Sequence, residues 1–94
     1  MRKIEKEMLH ALKNGLNWSK DNTQVKQIAM SPRSEVFLHG HKIADCFYGV
    51  AIVEPSLSTL KAWPTMTTKS RLRALGVNVT TRKGETFVDG VLVS

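Results

Sequence analysis

Two dipeptides that end in glycine constrain the fold more than any other feature of this sequence. They are Lys83-Gly84 and Asp89-Gly90, near the C-terminus. Each has the composition of a two-residue β-turn and is flanked by short runs rich in valine and threonine. If both are turns, Val79 lies opposite Val88 and one face of the resulting sheet is almost wholly apolar. The sequence therefore predicts a three-stranded antiparallel meander over residues 77–93.

The opposite face of this meander carries two large apolar side chains, Phe87 and Leu92, among polar ones. Such residues either lie under another element or form a contact surface. We treat both as candidates for contact with a protein partner.

A short helix is predicted just before the meander. Pro64 is followed by Thr65, Thr67 and Thr68, whose hydroxyls can accept hydrogen bonds from the free amides of a first helical turn. Gly76 suits the left-handed residue that follows the end of a helix. Leu72 and Leu75 are three residues apart, so they share the face that must be buried.

The polar positions of this second helix make it the best candidate for a binding site. Three cations are expected to point outward from it: Lys69, Arg71 and Arg73. Three first-turn residues add a phosphate-sized anion site at the positive end of the helix dipole: Thr67, Thr68 and Ser70. The pattern indicates nucleic-acid or phosphate contact, or alternatively an ordinary solvated amphipathic helix.

The N-terminal half predicts a first helix followed by strands. Apolar residues at helical spacing predict a helix over about residues 2–14, with the other directions occupied by Arg2, Lys3, Glu5, Lys6 and Lys13. A polar loop over residues 17–22, anchored by Trp18, then precedes a short strand from Thr23. A further strand is predicted over residues 50–53.

A hairpin is predicted over residues 34–48, with Gly40-His41 as a type II′ turn. That register pairs Leu38 with Ile43 and Val36 with Asp45, and it places four apolar side chains on one face: Val36, Leu38, Ile43 and Phe47. Together these elements predict an α+β fold in one domain, residues 1–94, with an N-terminal helix, antiparallel strands with a central hairpin, a second short basic helix and the C-terminal meander.

Composition bears on the partner. Fourteen Lys and Arg against eight Asp and Glu give a net charge of +6, with an excess in residues 1–33 and 61–94 and a deficit in residues 34–60. A positive balance favours polyanionic partners, although a charged, solvated surface produces the same numbers.

Little in the sequence indicates metal binding or catalysis. His39, His41, Asp45 and Cys46 form a poor ligand set for zinc, and the lone thiol is expected to be a small buried group. No phosphate-binding loop or nucleophile motif is present. We expect no cofactor, no metal and no enzymatic activity. The single cysteine, the charged N-terminus and the lack of a long apolar run predict a location in a reducing cytoplasm, without a membrane partner.

Four segments carry a resemblance to a known group of proteins. They are residues 1–5 (MRKIE), 17–23 (NWSKDNT), 34–40 (SEVFLHG) and 63–75, which begins WPT and ends RLRAL. Through them most of the chain resembles small proteins of tailed bacteriophages that have no established activity. The resemblance implies expression inside an infected bacterium, and hence in the host cytoplasm.

Two functions of different classes follow. The first is a non-enzymatic accessory protein that binds DNA or RNA through the basic second helix, with Arg82 and Lys83 of the terminal hairpin alongside. The alternative is a protein-binding inhibitor of a host nucleic-acid enzyme or defence system, of the anti-CRISPR or anti-restriction type, that uses Phe87 and Leu92.

Overall fold

The computed structural model describes residues 2–48 and 51–93 of the chain. Helix α1 (Lys3–Lys13) comes first, followed by strands β1 (Trp18–Lys20), β2 (Thr23–Gln27), β3 (Arg33–Leu38), β4 (His41–Phe47) and β5 (Ile52–Pro55). Helices α2 (Leu57–Ala62) and α3 (Met66–Ala74) follow, and the described chain then forms β6 (Val79–Arg82), β7 (Glu85–Val88) and β8 (Val91–Leu92). The predicted α+β class is confirmed.

The strands form two antiparallel sheets. The first has the order β1-β2-β3-β4-β5 and the second the order β6-β7-β8, so each sheet follows the chain without a crossover. Helix α1 packs on β1 and β2, and α2 packs on β4. Helix α3 contacts α1, β4 and β6, which makes it the helix that joins the two sheets.

The core lies between the helices and one face of the first sheet. Val25, Val36 and Cys46 point into it from successive strands, and their neighbours in sequence are more exposed, as the two-residue period of a strand requires. Together with residues of the helices, of both sheets and of the end of α3, they form one cluster of buried apolar side chains. Its other members are Met8, Ala11, Leu12, Leu38, Ile43, Ala44, Leu60, Leu72, Leu75 and Val79.

The C-terminal meander has the predicted register. Val79 lies opposite Val88, and both Lys83-Gly84 and Asp89-Gly90 have positive φ at their two residues, which is the geometry of type I′ turns. Val79 is buried and Val88 is half-buried, as the prediction required. Val91 is 69% exposed, so the predicted apolar face of the meander is open at β8, the edge strand of the second sheet.

The central hairpin exists, but its turn was predicted one residue too late. His39 and Gly40 are the turn residues, with φ of 52° and 79°, so the turn is type I′ instead of type II′. Leu38 therefore pairs with His41, and Val36 pairs with Ala44.

A bulge restores the inward face of β4 after this turn. The register shifts between Val36 and Phe37, so that Ile43 and Ala44 are consecutive and both buried. Beyond the bulge Cys46 points inward and Phe47 outward, opposite Arg33. The predicted placement of Phe47 with Val36 was therefore wrong.

Two short elements were not predicted. Residues 18–20 of the expected polar loop form β1, where Trp18 lies opposite Val25 and packs against the core as the expected anchor. Helix α2 has only six residues and one buried side chain, Leu60, which is too little to show a helical period. Val50, where the next strand was predicted to begin, lies outside the described residues, as does Gly49. In the described part, no helix has the length and hydrophobicity needed to span a membrane.

A comparison of two methionines tests this core. Met8 is 0% exposed on the inner face of α1, whereas Met66, at the start of α3, is 81% exposed. We expect Met8→Ala to lower the free energy of unfolding by about 2–5 kcal/mol, because a cavity remains where the side chain packed. Met66→Ala should change it by less than about 0.5 kcal/mol. Urea unfolding measures both, and equal effects of the two substitutions would contradict the assigned core.

Candidate nucleic-acid interface

Helix α3 begins and ends where the sequence predicted. The hydroxyl of Thr65 accepts a hydrogen bond from the backbone N–H of Thr68 at 3.2 Å, which caps the first turn. Gly76 follows the last turn with a φ of 98°, in the region that glycine adopts at helix ends. Leu72 and Leu75 are both buried, so the predicted inner face is correct.

The cations of α3 do not lie where they were expected. Lys69 is 8% exposed and Arg71 is 3% exposed, so the prediction that they point outward was wrong. The physical reason is their spacing, since Lys69 precedes Leu72 by three residues and Arg71 precedes Leu75 by four. Both cations therefore share the face of the leucines and enter the protein with them.

Arg71 forms a buried ion pair with Glu5 of α1. Its Nη1 lies 2.8 Å from Oε2 of Glu5, and each side chain is 3% exposed. Its Nε donates to Oγ1 of Thr23 in β2 at 3.0 Å. Glu5 was expected among the polar directions of the first helix, yet it points inward, so this one guanidinium connects α3 to α1 and β2.

The carboxylate of Glu5 has further donors. Ser70 Oγ donates to Oε2 at 2.6 Å, and the backbone N–H of Arg2 donates to Oε1 at 3.3 Å. Burial acts to raise the pKa of Glu5, but the hydrogen bonds from Ser70, Arg71 and Arg2, together with the charge of Arg71, lower the pKa below its usual value. Glu5 is therefore ionised at neutral pH, and Ser70 belongs to this network.

Lys69 and Arg73 attach the second sheet to α3. Lys69 Nζ donates to Oγ1 of Thr81 at 2.6 Å, and Arg73 Nε donates to the backbone carbonyl of Val79 at 2.8 Å. These bonds hold β6 along the helix. Each of the three cations on this helix that the sequence assigned to nucleic acid thus has a partner within the protein, and of these three only Arg73 is exposed.

The other predicted site residues are spread over separate elements. Arg82 and Lys83 are exposed at the tip of the β6–β7 hairpin. Phe87 and Leu92 lie directly opposite each other on β7 and β8, with Leu92 46% exposed, so the structure does bring this pair together.

The predicted anion site divides in two. Ser70 faces Glu5, whereas Thr67 and Thr68 line a cleft at the other side of the start of α3. The first-turn N–H of Thr68 is already occupied by the hydroxyl of Thr65.

An unanticipated basic surface lies on the outer face of α1. Within the described residues, four exposed side chains that are basic or imidazole and have no acidic ion-pair partner lie along this face: Lys3, Lys6, His10 and Lys13. The carboxylate of Glu7, beside this row, pairs with Lys20. The spacing of the row, three, four and three residues, places its members along one side of the helix. This periodicity was readable from the sequence.

The thiol of Cys46 is buried, as predicted. It is 0% exposed, and burial, with a smaller contribution from the charge of Asp45, raises the pKa of Cys46 to about 11. The thiol is therefore protonated at neutral pH. Across residues 2–48 and 51–93 no three His, Cys, Asp or Glu side chains are grouped closely enough to hold a metal ion.

The lowered pKa of Glu5 predicts how the free energy of unfolding depends on pH in acid. A carboxyl group with a depressed pKa stabilises the fold above its unfolded pKa, 4.5, and this stabilisation is lost as the pH falls through the folded value. We expect Glu5→Gln to lower the free energy of unfolding by about 3–5 kcal/mol near pH 7, because Arg71 is left buried without its partner. The difference from the parent should shrink steadily as the pH falls below about 4.5 and through the lowered pKa of Glu5.

Glu85→Gln is the matched control, since Glu85 is exposed on β7. Its effect on urea unfolding should stay below about 0.5 kcal/mol. A difference between Glu5→Gln and the parent that stays constant across the same pH range would show that the ionisation of Glu5 does not stabilise the fold.

Comparison with known protein families gives a match over nearly the whole chain. The model of the Kyanoviridae Gp96 protein family, a family of phage proteins, matches residues 1–93. No curated protein and no solved structure matches the chain significantly. The segments that resemble phage proteins all lie within the matched range, and the resemblance is confirmed. The chain belongs to the Kyanoviridae Gp96 protein family.

Proposed function

We propose that this phage protein is a non-enzymatic accessory factor that binds nucleic acid in the infected cell through the outer face of α1. The observation that carries this proposal is the row of Lys3, Lys6, His10 and Lys13 along that face, exposed and without an ion pair to an acid within the described residues. Unpaired cations in a row are the electrostatic footprint of phosphate recognition.

The rest of the charge distribution supports α1 over other elements. Ion pairs hold Lys20 to Glu7, Arg33 to Asp45, and Lys42 to both Glu35 and Asp45. These pairs neutralise three of the four Lys and Arg side chains of the first sheet, whereas Lys26 of β2 has no ion pair among the described residues. The row on α1 has no such compensation among the described residues, so it contributes fully to the positive potential around the protein.

The length of the row suits a nucleic-acid backbone. Ten residues of helix separate Lys3 from Lys13, which corresponds to about 15 Å. One strand of duplex DNA presents a phosphate about every 3.4 Å along the axis, so the row spans about four phosphates. A lysine side chain carries a point charge on a flexible stem, so it can contact phosphates without contacting the bases. The expected binding is therefore electrostatic and independent of sequence.

Helix α3 has a structural part in this proposal. Lys69 and Arg71 are buried and bonded within the protein, so they present no charge to a phosphate backbone. Arg73, Arg82 and Lys83 remain exposed and can add contacts beside the main row.

Three variants with the same change in charge test the proposal. Lys6→Gln with Lys13→Gln removes two cations from α1, Arg82→Gln with Lys83→Gln removes two from the hairpin tip, and Lys26→Gln with Lys61→Gln removes two from β2 and α2. We expect the α1 variant to lose up to about 1.8 from the slope of log K against log salt for duplex DNA, since each phosphate contact contributes about 0.9. The β2 and α2 variant should keep the slope of the parent.

Thermal unfolding checks that each variant is folded, and exposed charges should move the midpoint little. The proposal is wrong if the α1 variant keeps the slope of the parent. Equal losses in all three variants would also contradict it, because they would show a response to net charge without a defined contact face.

A second candidate function has its own observation. Phe87 and Leu92 face each other across two strands and Val91 is 69% exposed, which gives the meander an exposed apolar edge. This edge favours an inhibitor that binds a host nucleic-acid enzyme or defence protein, of the anti-CRISPR or anti-restriction type. Failure of the parent to bind DNA or RNA at low salt would favour this candidate over the first.

A further inference from the structure

A cleft lies between the β3–β4 turn, α2 and the start of α3. Its volume is about 300 Å³, at the lower end of the range of ligand pockets, roughly 300–1,000 Å³. Leu38 and Ile43 give it an apolar floor, and the turn histidines, Trp63 and the threonines around the start of α3 form its walls. A cleft of this size holds one small ligand.

One wall of the cleft is an aromatic pair. The rings of His41 and Trp63 are stacked, with centroids 4.2 Å apart and an interplanar angle of 25°. Trp63 is nevertheless 48% exposed, although indole is among the side chains that gain most from being covered. The imidazole thus lies against one face of the indole, and about half of the surface of Trp63 stays uncovered by the protein.

The polar groups of the cleft suit a ligand rich in hydrogen-bond acceptors. His39, His41, Thr59 and Thr67 line it, and no Asp or Glu does among the described residues. The first turn of α3 also lies there, and its dipole favours negative charge at that end. A planar ring with an attached anionic group matches both parts of the lining.

We propose that this cleft binds one nucleotide unit, with the base stacked on Trp63 and the phosphate near the threonines at the start of α3. The unit could come from a free nucleotide or from an unpaired position in a single strand, and both present the same base and phosphate. The strand source rests on the proposed nucleic-acid function, whereas the free nucleotide does not depend on it. Base stacking on an aromatic side chain is the common element of sequence-tolerant single-strand binding.

Fluorescence of Trp63 tests the proposal directly. The chain has two tryptophans, so Trp18→Phe leaves Trp63 as the only indole reporter. We titrate four ligands in turn: adenosine monophosphate, inorganic phosphate, a short oligothymidylate and a blunt-ended DNA duplex. We expect saturable quenching by the nucleotide, the oligothymidylate or both, and none by inorganic phosphate alone. Quenching by only one of the two identifies the source of the unit.

Calorimetry with two variants of the parent then locates the site. Trp63→Ala should weaken binding of the quenching ligand by about 5–150-fold, the range that corresponds to loss of one stacked base. Tyr48→Ala is the control, since Tyr48 is 71% exposed and does not line the cleft, and it should bind as the parent does. If Trp63→Ala does not fold, the quenching titration decides alone.

The proposal is overturned if neither nucleotide nor oligothymidylate quenches Trp63 at millimolar concentration. It is equally overturned if inorganic phosphate binds as tightly as the nucleotide, since the cleft would then be an anion site without base recognition. The salt dependence of duplex binding reports on α1 separately. Loss of quenching with intact duplex binding therefore removes this inference and leaves the proposed function standing.

Discussion

The ion pair between Glu5 and Arg71 is the interaction on which the rest of the structure depends. It lies at the junction of α1, α3 and β2, and each side chain is 3% exposed. A charge at such a depth is tolerable only when its partner and its hydrogen bonds are complete, which Ser70, Thr23 and the backbone of Arg2 provide. The pair therefore fixes which face of α3 turns inward, and with it the positions of Lys69 and Arg73 along the second sheet.

This arrangement gives the cations of α3 and those of α1 different surroundings. Those of α3 are bonded to the core or to β6, where they position the meander. Those of α1 stand on the outer face of a helix whose inner face is anchored by Glu5 and Met8. A rigid helix presents its charges at fixed intervals, which is what a periodic phosphate backbone requires. The structural pair thus supports the proposed binding face without being part of it.

The comparison of sequence with structure shows where local patterns suffice. The glycine turns of the meander and the caps of α3 were predictable because they are set by residues a few positions apart. The spacing of Arg71 to Leu75 already placed it on the inner face of α3, but arginine is usually exposed, and the partner that permits its burial, Glu5, is 66 residues away. The hairpin register was predicted wrongly because Gly40 can be the first or the second residue of a two-residue turn. The bulge at Ile43 then keeps the inward face of β4, so the alternation of apolar residues does not distinguish the two turns. The row on α1 follows a helical period that the sequence shows. The cleft could not be predicted in this way, because its stacked rings, His41 and Trp63, come from separate parts of the chain.

The most direct test of the central claim is a double-mutant cycle on the buried pair. Unfolding in urea at neutral pH is measured for the parent, Glu5→Gln, Arg71→Met and the double variant. Each single substitution leaves one group of the pair buried without its partner, whereas the double variant removes both charges. The account predicts that the double variant is more stable than the sum of the single effects implies, by about 1–3 kcal/mol. Additive effects, within about 0.5 kcal/mol, would contradict it, because they would show that the two side chains do not depend on each other.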